Sequence, residues 1–391
     1  MTNSAEFNWF GSPDHYVQGK NILLNSADIL RPYGKKFLLL ADKSVYAAAG
    51  QKFQEYLTHN QFTVDYVEFN GESSLTEIER VTKIAQEKGS DVIIGLGGGK
   101  TLDTSKGIAN KLNIANIICP SAASCDASCI KLSIIYTENH EFVKYLFYAH
   151  HPVLIMADTQ VIAQAPTRTL LAGIGDAFST YYEGLEVAKS HGHTLAGGHP
   201  TDAGLAVAKQ CADTLWKYAY QALEAAEHNT VTHALEKVIE ANILLSGLGA
   251  EGAGLAAAHS IYDGFSVLKG DPAKFRHGEE VALGVMIQLM LVGTPQKELD
   301  KFIEFLLTCG FPLTKKDFHL DQVSQEDLEA FAEKATDKGE TIENMSFKVT
   351  PAMILEALAG ADAAVTHYKK THTVHPVFVD NVFEKQVGML V

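Results

Sequence analysis

The sequence has few basic residues and no long apolar run. Its 391 residues include 32 Lys and Arg against 47 Asp and Glu, which gives a net charge of −15. An acidic chain is a poor candidate for binding nucleic acid, which basic patches recognise. No stretch of 18 apolar residues occurs, so we expect no membrane span. The N-terminus lacks the basic start and apolar core of a signal peptide, and a cytoplasmic location is the default expectation.

Cysteine is scarce as well. The chain has five cysteines, namely Cys119, Cys125, Cys129, Cys211 and Cys309. Their odd number and irregular spacing predict no disulfide framework. Cys125 and Cys129 lie four residues apart, but no second Cys or His pair follows at zinc-finger spacing. We therefore interpret them as ordinary buried or edge thiols rather than as a zinc site.

The length of the chain predicts two domains. In the first half, short apolar runs at 37–41, 62–67, 91–95 and 114–119 alternate with stretches of helical periodicity. Ser74 and Glu77 are spaced as a capping box before one of these helices. Strands that alternate with helices favour a parallel α/β sheet, in which ligands bind beyond the carboxyl ends of the strands.

A run of glycines follows the third predicted strand. Gly97, Gly98 and Gly99 precede Lys100 and the next predicted helix. Adjacent glycines let a ligand approach the backbone, and a helix N-terminus offers free N–H groups, so the segment predicts a phosphate cradle. It matches neither the G-x-G-x-x-G fingerprint nor the Walker A spacing. The alternative is a tight turn between strand and helix that binds nothing.

Asp42 closes the first predicted strand. An acidic residue at this position could accept hydrogen bonds from a ribose diol, as in dinucleotide-binding folds. The alternative is a helix-capping role, which is common for Asp after a strand.

The second half of the chain is predicted to be helical, with helices at 201–225 and 234–248. Asp176 lies there in an apolar, glycine-flanked context, which is costly for an acid unless it is solvated, paired or ligated. Together with His259 and His277 it would suit a catalytic zinc or iron ion. The chain has 16 histidines, so spacing alone leaves this set one option among many. His191, His193 and His199 are interpreted as a loop near the substrate entrance rather than as a metal site.

Several segments together resemble the glycerol dehydrogenases of the iron-containing (group III) alcohol dehydrogenase superfamily. They are GGGKTLDT at 97–104, SAASCDA at 121–127, LAGIGDA at 171–177, GLAAAH at 254–259, HGEEVA at 277–282 and ETIENMSFKVTP at 340–351. The resemblance extends over nearly the whole chain at matched spacing.

This resemblance implies a dehydroquinate synthase-like fold. It consists of an N-terminal Rossmann-like α/β domain with a parallel sheet, residues 1–163, and an all-α metal-binding domain, residues 164–391, with the active site in the cleft between them. The implied activity is reversible oxidation of glycerol or a similar small polyol to the ketone. The implied cofactors are NAD and one divalent metal, zinc in most members and Fe²⁺ in distant branches. A homo-oligomer, either a dimer or an octamer, is also implied.

The resemblance assigns roles to individual residues. Asp176, His259 and His277 match the metal ligands. Asp126 matches a catalytic residue that contacts the second substrate hydroxyl, although it could instead be a turn-forming Asp. Cofactor contacts are implied for Asp42, Gly97, Gly98, Gly99, Lys100, Asp103, Ser121, Ser124, Leu132 and Tyr136, of which Asp42 would favour NAD over NADP because it would repel a 2′-phosphate.

Three positions depart from the family pattern. Tyr262 replaces a histidine, Asp263 replaces an asparagine, and Ile130 stands where serine is usual. These changes bear on proton transfer and on substrate choice.

Three other functions compete with this prediction. The first is a related dehydrogenase or reductase that acts on another diol, a 2-hydroxy acid or an aldehyde. The second is a lyase such as dehydroquinate synthase, but that enzyme needs a basic pocket, and no cluster of Lys and Arg surrounds the predicted ligands beyond Arg276. The third is a non-catalytic NAD-binding protein, against which the complete Asp/His/His set argues.

Overall fold

The computed structural model describes residues 6–379 and places a parallel sheet in the first half of the chain. The strands are β1 (His15–Gly19), β2 (Lys36–Ala41), β3 (Thr63–Glu68), β4 (Val92–Gly97), β5 (Ala115–Pro120), β6 (Leu132–Tyr136), β7 (Phe142–Phe147) and β8 (Leu154–Asp158). Six of them form the sheet, in the order β1-β8-β5-β4-β2-β3, with every neighbouring pair parallel. Strands β6 and β7 form a separate antiparallel hairpin.

Helices surround the sheet and make up most of the second half. They are α1 (Ala27–Leu30), α2 (Lys43–Val45), α3 (Gln51–His59), α4 (Leu75–Lys88), α5 (Gly99–Leu112), α6 (Thr159–Ala163), α7 (Thr167–Ser190), α8 (Asp202–Glu227), α9 (His233–Glu240), α10 (Ser246–Ala253), α11 (Ala257–Phe265), α12 (His277–Leu291), α13 (Gln296–Cys309), α14 (Gln325–Ala335) and α15 (Pro351–Thr371). Within residues 6–379, none of these helices has the length and apolarity needed to cross a bilayer.

The central strands are continuously apolar because both faces of the sheet are buried. Along β2, Phe37 and Leu39 belong to the core on one face, whereas Leu38 and Leu40 belong to the core on the other. This is the pattern of a parallel sheet covered by helices on both sides. The predicted fold class is therefore confirmed, and each predicted strand of the first half lies within about two residues of an observed one.

The capping box predicted at Ser74 and Glu77 is only half correct. The Ser74 hydroxyl accepts a hydrogen bond from the Glu77 backbone N–H at 3.1 Å, as a helix cap should. The Glu77 carboxylate does not accept a hydrogen bond from the Ser74 backbone N–H, which donates to the Glu72 carbonyl oxygen instead. The Glu77 carboxylate accepts from the Asn70 backbone N–H at 3.0 Å and pairs with Arg80 at 2.7 Å. The reciprocal part of the prediction is wrong because a nearby arginine and a loop amide provide stronger partners for the acid.

The helical half is built around α7, which packs against α8, α10 and α12. The helix predicted at 234–248 is observed as α9, a π-helical turn at Ala241–Leu245, and α10. In that turn Asn242 donates to the carbonyl oxygens of Ala123 at 3.0 Å and Leu170 at 3.3 Å. The two halves are thereby tied together. The division at residue 163 stays a prediction, and residues 1–5 and 380–391 of the two predicted domains lie outside the described residues.

Candidate active site

The glycine run lies at the carboxyl end of β4 and leads into α5. No side chain caps α5, and its first internal backbone bond runs from Leu102 N–H to Gly98 O at 3.1 Å. The preceding N–H groups thus have no acceptor within the helix. A Cβ atom built on Gly98 meets nothing within 4 Å, whereas one on Gly97 would lie 2.6 Å from the Thr101 hydroxyl. The absence of a side chain at Gly97 allows close packing against Thr101, whereas Gly98 leaves the backbone surface open to an approaching phosphate.

Lys100 extends from the first turn of α5 along the edge of this cradle. Its ammonium group lies 2.6 Å from a Glu72 carboxylate oxygen and 5.0 Å from the centre of the Tyr136 ring. His140 also contacts this oxygen of Glu72. Burial raises the pKa of Glu72, but hydrogen bonds from Lys100 and His140 outweigh it and hold the pKa below its usual value. The predicted residues Lys100 and Tyr136 are therefore neighbours.

Asp103 is buried, and both of its carboxylate oxygens contact other residues of the chain. One carboxylate oxygen lies 2.7 Å from the Lys106 ammonium group, and the other accepts from the Ile134 backbone N–H at 2.9 Å. Lys106 also donates to the carbonyl oxygens of Ala127 at 2.8 Å and Ile130 at 3.2 Å. The pair therefore fastens the chain after β5 to α5. Direct contact between Asp103 and a cofactor stays a prediction without support from this geometry.

Asp42 follows β2, which lies beside β4 in the sheet. One of its carboxylate oxygens accepts from the backbone N–H groups of Ser44 and Val45, both at 3.0 Å, and caps the next helix. Within residues 6–379 its second oxygen has no such hydrogen bond. The capping role is thus observed, and the ribose contact stays a prediction that this second oxygen could fulfil.

Asp176, His259 and His277 lie together, as the family resemblance implied. One Asp176 oxygen lies 3.1 Å from His277 Nε2 and 3.4 Å from His259 Nε2, and one ligand atom from each residue lies within 4.8 Å of the others. Among residues 6–379 this is the one group of His, Cys, Asp and Glu with metal-site spacing. The pair Cys125 and Cys129 takes no part in it, and neither do the three histidines at 191, 193 and 199.

Close backbone packing brings this cluster together. A Cβ atom on Gly175 of α7 would come within 2.1 Å of the Gly278 carbonyl oxygen, and one on Gly278 within 1.7 Å of the Ala172 carbonyl oxygen. Only glycine allows α7 and the start of α12 to touch in this way. Because Asp176 and His277 are the chain neighbours of these glycines, the contact places their side chains together.

The cluster has a donor set that fits a divalent cation. Burial raises the pKa of Asp176, but His277 and His259 outweigh it and hold the pKa well below its usual range. Burial lowers the pKa of His259, but Glu183 and Asp176 outweigh it and raise the pKa well above its usual value. Two imidazoles and a carboxylate, buried to different degrees and with His277 partly exposed, match the ligands of a catalytic zinc site.

Asp126 adjoins the cluster. Its backbone N–H donates to the second Asp176 oxygen at 3.1 Å, and its own side chain is buried. Burial and the neighbouring Asp176 raise the pKa of Asp126 to about 7. Ser121, five residues earlier, donates its backbone N–H to Gly97 O at 2.9 Å. The segment with Ser121, Ser124 and Asp126 therefore runs directly from the glycine cradle to the cluster.

A cavity of about 730 Å³ opens beside the cluster and is lined by Tyr136, Tyr262, Asp263 and His277. The Tyr262 ring meets the His277 ring edge-on, with centroids 4.2 Å apart. Two of the three departures from the family pattern thus face the cavity. The third, Ile130, is buried in an apolar cluster with residues of the helical half and does not line this cavity. Leu132, at the start of β6, packs beside that cluster.

Sequence reasoning missed two residues that hold the site together. Lys106 lies one helical turn after the buried Leu102, and a lysine on the buried face of a helix is a signal for an internal partner. Glu183 lies two turns after Asp176 on α7 and accepts a hydrogen bond from His259 Nδ1 at 2.7 Å. Seven-residue spacing on a helix puts both acids on one face, and that signal was available in the sequence.

Comparison with known proteins identifies the family to which the chain belongs. Residues 13–159 match the family described as iron-containing alcohol dehydrogenase. Glycolaldehyde reductase of Halobacterium salinarum is 42% identical over 353 residues, covering 90% of this chain and 96% of that protein. Glycerol dehydrogenase of Thermotoga maritima is 41% identical, covering 90% and 95%.

The crystal structure of glycerol dehydrogenase from Schizosaccharomyces pombe has a TM-score of 0.91 and 37% identity to this chain, covering 96% of each. The resemblance predicted from the motifs is confirmed at the level of sequence and of fold. The chain therefore belongs to the iron-containing alcohol dehydrogenase family.

Proposed function

We propose that this protein catalyses the reversible NAD-linked oxidation of glycerol or a similar small vicinal diol to the ketone, with a divalent metal. The observation that carries the proposal is the cluster of Asp176, His259 and His277, whose His277 also lines the 730 Å³ cavity. The glycine cradle lies one short segment away along the chain after β5. Relatives named glycerol dehydrogenase, at 38–41% identity over about 90% of this chain, support the same activity.

In this proposal the three clustered side chains hold the metal. When bound, the metal would polarise the substrate oxygen as a Lewis acid and lower the pKa of the alcohol, while NAD would accept the hydride. The protein positions the metal ligands and the cofactor. Asp176 and His277 are fixed by the backbone contact of α7 with α12, and Gly98 with the first turn of α5 would receive the pyrophosphate.

The second hydroxyl of the substrate is assigned to Asp126. Its backbone N–H donates to Asp176. Besides burial, the charges of the three clustered side chains all act on the pKa of its carboxyl group, so that group lies near the proposed metal site. A vicinal diol whose first hydroxyl was activated at this cluster would present its second hydroxyl to Asp126. Tyr262 and Asp263 would face the rest of a small substrate from the cavity wall.

The charge of the cavity favours neutral substrates over acids. Its lining includes the carboxyl groups of Glu141, Asp263, Glu280 and Glu340, and among the described residues Lys334 is the one Lys or Arg that lines it. That lysine lies 2.5 Å from Glu340 and is paired with it. Burial raises the pKa of Glu280 well above its usual value, and burial together with Glu340 raises the pKa of Asp263 to about 7, so these two acids add little negative charge. Because the one lining lysine is already paired with Glu340, an anionic 2-hydroxy acid would find no free Lys or Arg among the described lining residues, and we expect it to bind more weakly than a diol of the same size.

A second candidate activity is the reduction of a 2-hydroxyaldehyde. The relative at 42% identity is named glycolaldehyde reductase. Glycolaldehyde and glycerol share a hydroxyl group beside the reacting carbon, so the same contacts would serve both. The departures at Tyr262 and Asp263 lie on the cavity wall, where a choice between them would be made.

We further propose zinc as the metal, because two imidazoles and one carboxylate with an open position are typical of catalytic zinc. A homo-oligomer and a cytoplasmic location stay predictions.

The experiment is an NAD(H)-coupled assay of the purified, zinc-supplied protein against glycerol, 1,2-propanediol, dihydroxyacetone, glycolaldehyde and lactate, with metal content measured alongside. The proposal expects turnover of the diols and of dihydroxyacetone, and little with lactate. Glycolaldehyde turnover well above all others would select the second candidate. No turnover by a zinc-loaded protein, or a preference for lactate, would refute both.

A further inference from the structure

Glu183 is a fully buried acid that contacts one of the proposed metal ligands and no substrate cavity. Its side chain is 0% exposed, in the middle of α7. One carboxylate oxygen accepts from His259 Nδ1 at 2.7 Å. The other accepts from the backbone N–H groups of Ala256 at 2.8 Å and His259 at 3.0 Å. A charge taken out of water is costly unless its oxygens are satisfied in this way.

These contacts serve the beginning of α11. Ala256, at the cap position, has φ −139° and ψ −118°, and no side chain of its own caps the helix. Two other helices supply the cap. Gln288 of α12 accepts from the backbone N–H groups of Ala257 and Ala258, and Glu183 accepts from those of Ala256 and His259. The same carboxylate accepts hydrogen bonds from both the backbone N–H and the ring of His259. It therefore fixes the position of this residue and the orientation of its imidazole ring.

The contact also selects one tautomer of the imidazole. An ionised carboxylate only accepts hydrogen bonds, so the proton of a neutral His259 must be on Nδ1. Nε2 then carries the lone pair, and Nε2 is the atom that faces Asp176 at 3.4 Å. A hydrogen bond of this kind also makes the imidazole a more basic ligand.

We infer that Glu183 is a positioning residue for the metal site. It holds His259 in the Nδ1–H tautomer with Nε2 directed at the cation. Asp176 and Glu183 are seven residues apart on α7, so one face of a single helix provides a ligand and the support of a second ligand. The inference rests on the proposed function, because it assumes that the cluster binds a metal.

Direct measurement of metal binding tests this inference without turnover. In Glu183→Gln the amide oxygen still accepts from the two backbone N–H groups, but the amide nitrogen now faces Nδ1 and donates to it. That reverses the tautomer and removes the lone pair from Nε2. We expect the affinity for Zn²⁺ or Co²⁺, measured by calorimetry on the metal-stripped full chain, to fall roughly 10- to 100-fold. The visible absorption of the Co²⁺ form should change as well.

Glu186→Gln is the matched control. Glu186 is another buried acid of α7, and it accepts from the Ser346 backbone N–H at 3.2 Å and hydroxyl at 2.7 Å, away from the cluster. Its loss should leave metal affinity and the Co²⁺ spectrum unchanged. In a His259→Ala background, Glu183→Gln should lower affinity no further, because Glu183 acts through that ring.

A wild-type measurement keeps the inference testable if Glu183→Gln does not fold. In the zinc-loaded protein labelled with ¹⁵N-histidine, and with His259→Ala used to assign the signal, Nδ1 of His259 must carry the proton and Nε2 the metal. The opposite assignment overturns the inference, as does Glu183→Gln binding metal within twofold of wild type. If the wild type itself binds neither ion, the proposed function fails, which is a separate result.

Discussion

Two clusters of buried acids, one in each half of the chain, differ in the type of basic residue that is paired with them. In the first, Asp103 and Lys106 are 5% and 4% exposed and lie 2.7 Å apart. In the second, Asp176 and Glu183 are both 0% exposed, and within residues 6–379 their ion-pair partners are His259 and His277.

The difference separates a structural cluster from a functional one. A lysine ammonium group donates hydrogen bonds and has no lone pair to offer, so the first cluster cannot receive a cation in the same way. Imidazoles can present lone pairs, so the second can receive a cation. Similar burial therefore produces a fixed link in one half and a candidate catalytic centre in the other.

The largest effect is expected from removing charge in the second cluster. Asp176→Asn keeps the size of the side chain and removes a ligand, so NAD reduction should fall by about 10³-fold or more, since a Lewis acid contributes several kcal/mol. Turnover is followed by NADH absorbance. A variant with more than a tenth of wild-type activity at saturating zinc would contradict the assignment of the cluster.

A substitution in the first cluster should instead lower the stability of the fold. Lys106→Met leaves Asp103 without its counter-charge, and it removes the donor to the carbonyl oxygens of Ala127 and Ile130. We expect a loss of about 3–5 kcal/mol in the free energy of unfolding, measured by urea denaturation. Adding Asp103→Asn should recover part of it. A loss below about 1 kcal/mol would show that the link is dispensable.

The glycine cradle offers a matched pair within the first half. Gly98→Ala puts a methyl group into open space, so it should weaken NAD binding roughly 10- to 100-fold with little change in unfolding. Gly97→Ala should cost about 1–3 kcal/mol of stability, because the methyl group meets Thr101. Fluorescence titration with NAD and thermal unfolding measure the two effects. Equal NAD affinity in Gly98→Ala and wild type would exclude the cradle.

A smaller change is expected at the ribose position. Asp42→Asn keeps a cap for Ser44 and Val45 but removes the charge, so relative use of NADP should improve roughly tenfold. Asp42→Gly tests the same idea at the expense of the cap. The measurement is kcat/KM with each cofactor. An unchanged ratio in both variants would remove Asp42 from the cofactor site.

The smallest effect concerns Glu72, whose partners Lys100 and His140 have side chains 45% and 72% exposed. Because its pKa is lowered on folding, its contribution is present above the unfolded pKa and is lost as pH falls through the folded pKa. Glu72→Gln should cost only about 0.5–1 kcal/mol at pH 7, since solvent screens the partners. The cost should shrink below about pH 4.3. Urea unfolding of both proteins at several pH values measures this loss of stability. A loss that grows at acid pH would contradict the predicted pH dependence.

Local patterns predicted the parts that depend on neighbours in sequence. The run Phe37, Leu38 and Leu39 is apolar on both faces because the sheet is covered on both sides. The cap at Ser74 was also visible, but the partner of Glu77 was not, since Asn70 and Arg80 compete for the same carboxylate. Lys106 and Glu183 escaped prediction because their partners become neighbours only in the folded chain.

The amino-acid order is enough to set the alternation of strands and helices, the glycines at the end of β4, and a group of residue types able to hold a metal. Which acids contact which bases depends on the folded chain. His259 and its partner Glu183 are 76 residues apart, and His277 and Asp176 are 101 apart. Such meetings depend on two backbones touching at Gly175 and Gly278. Periodicity reports which face of a helix is buried, but it carries no information about the side chain on the opposite surface.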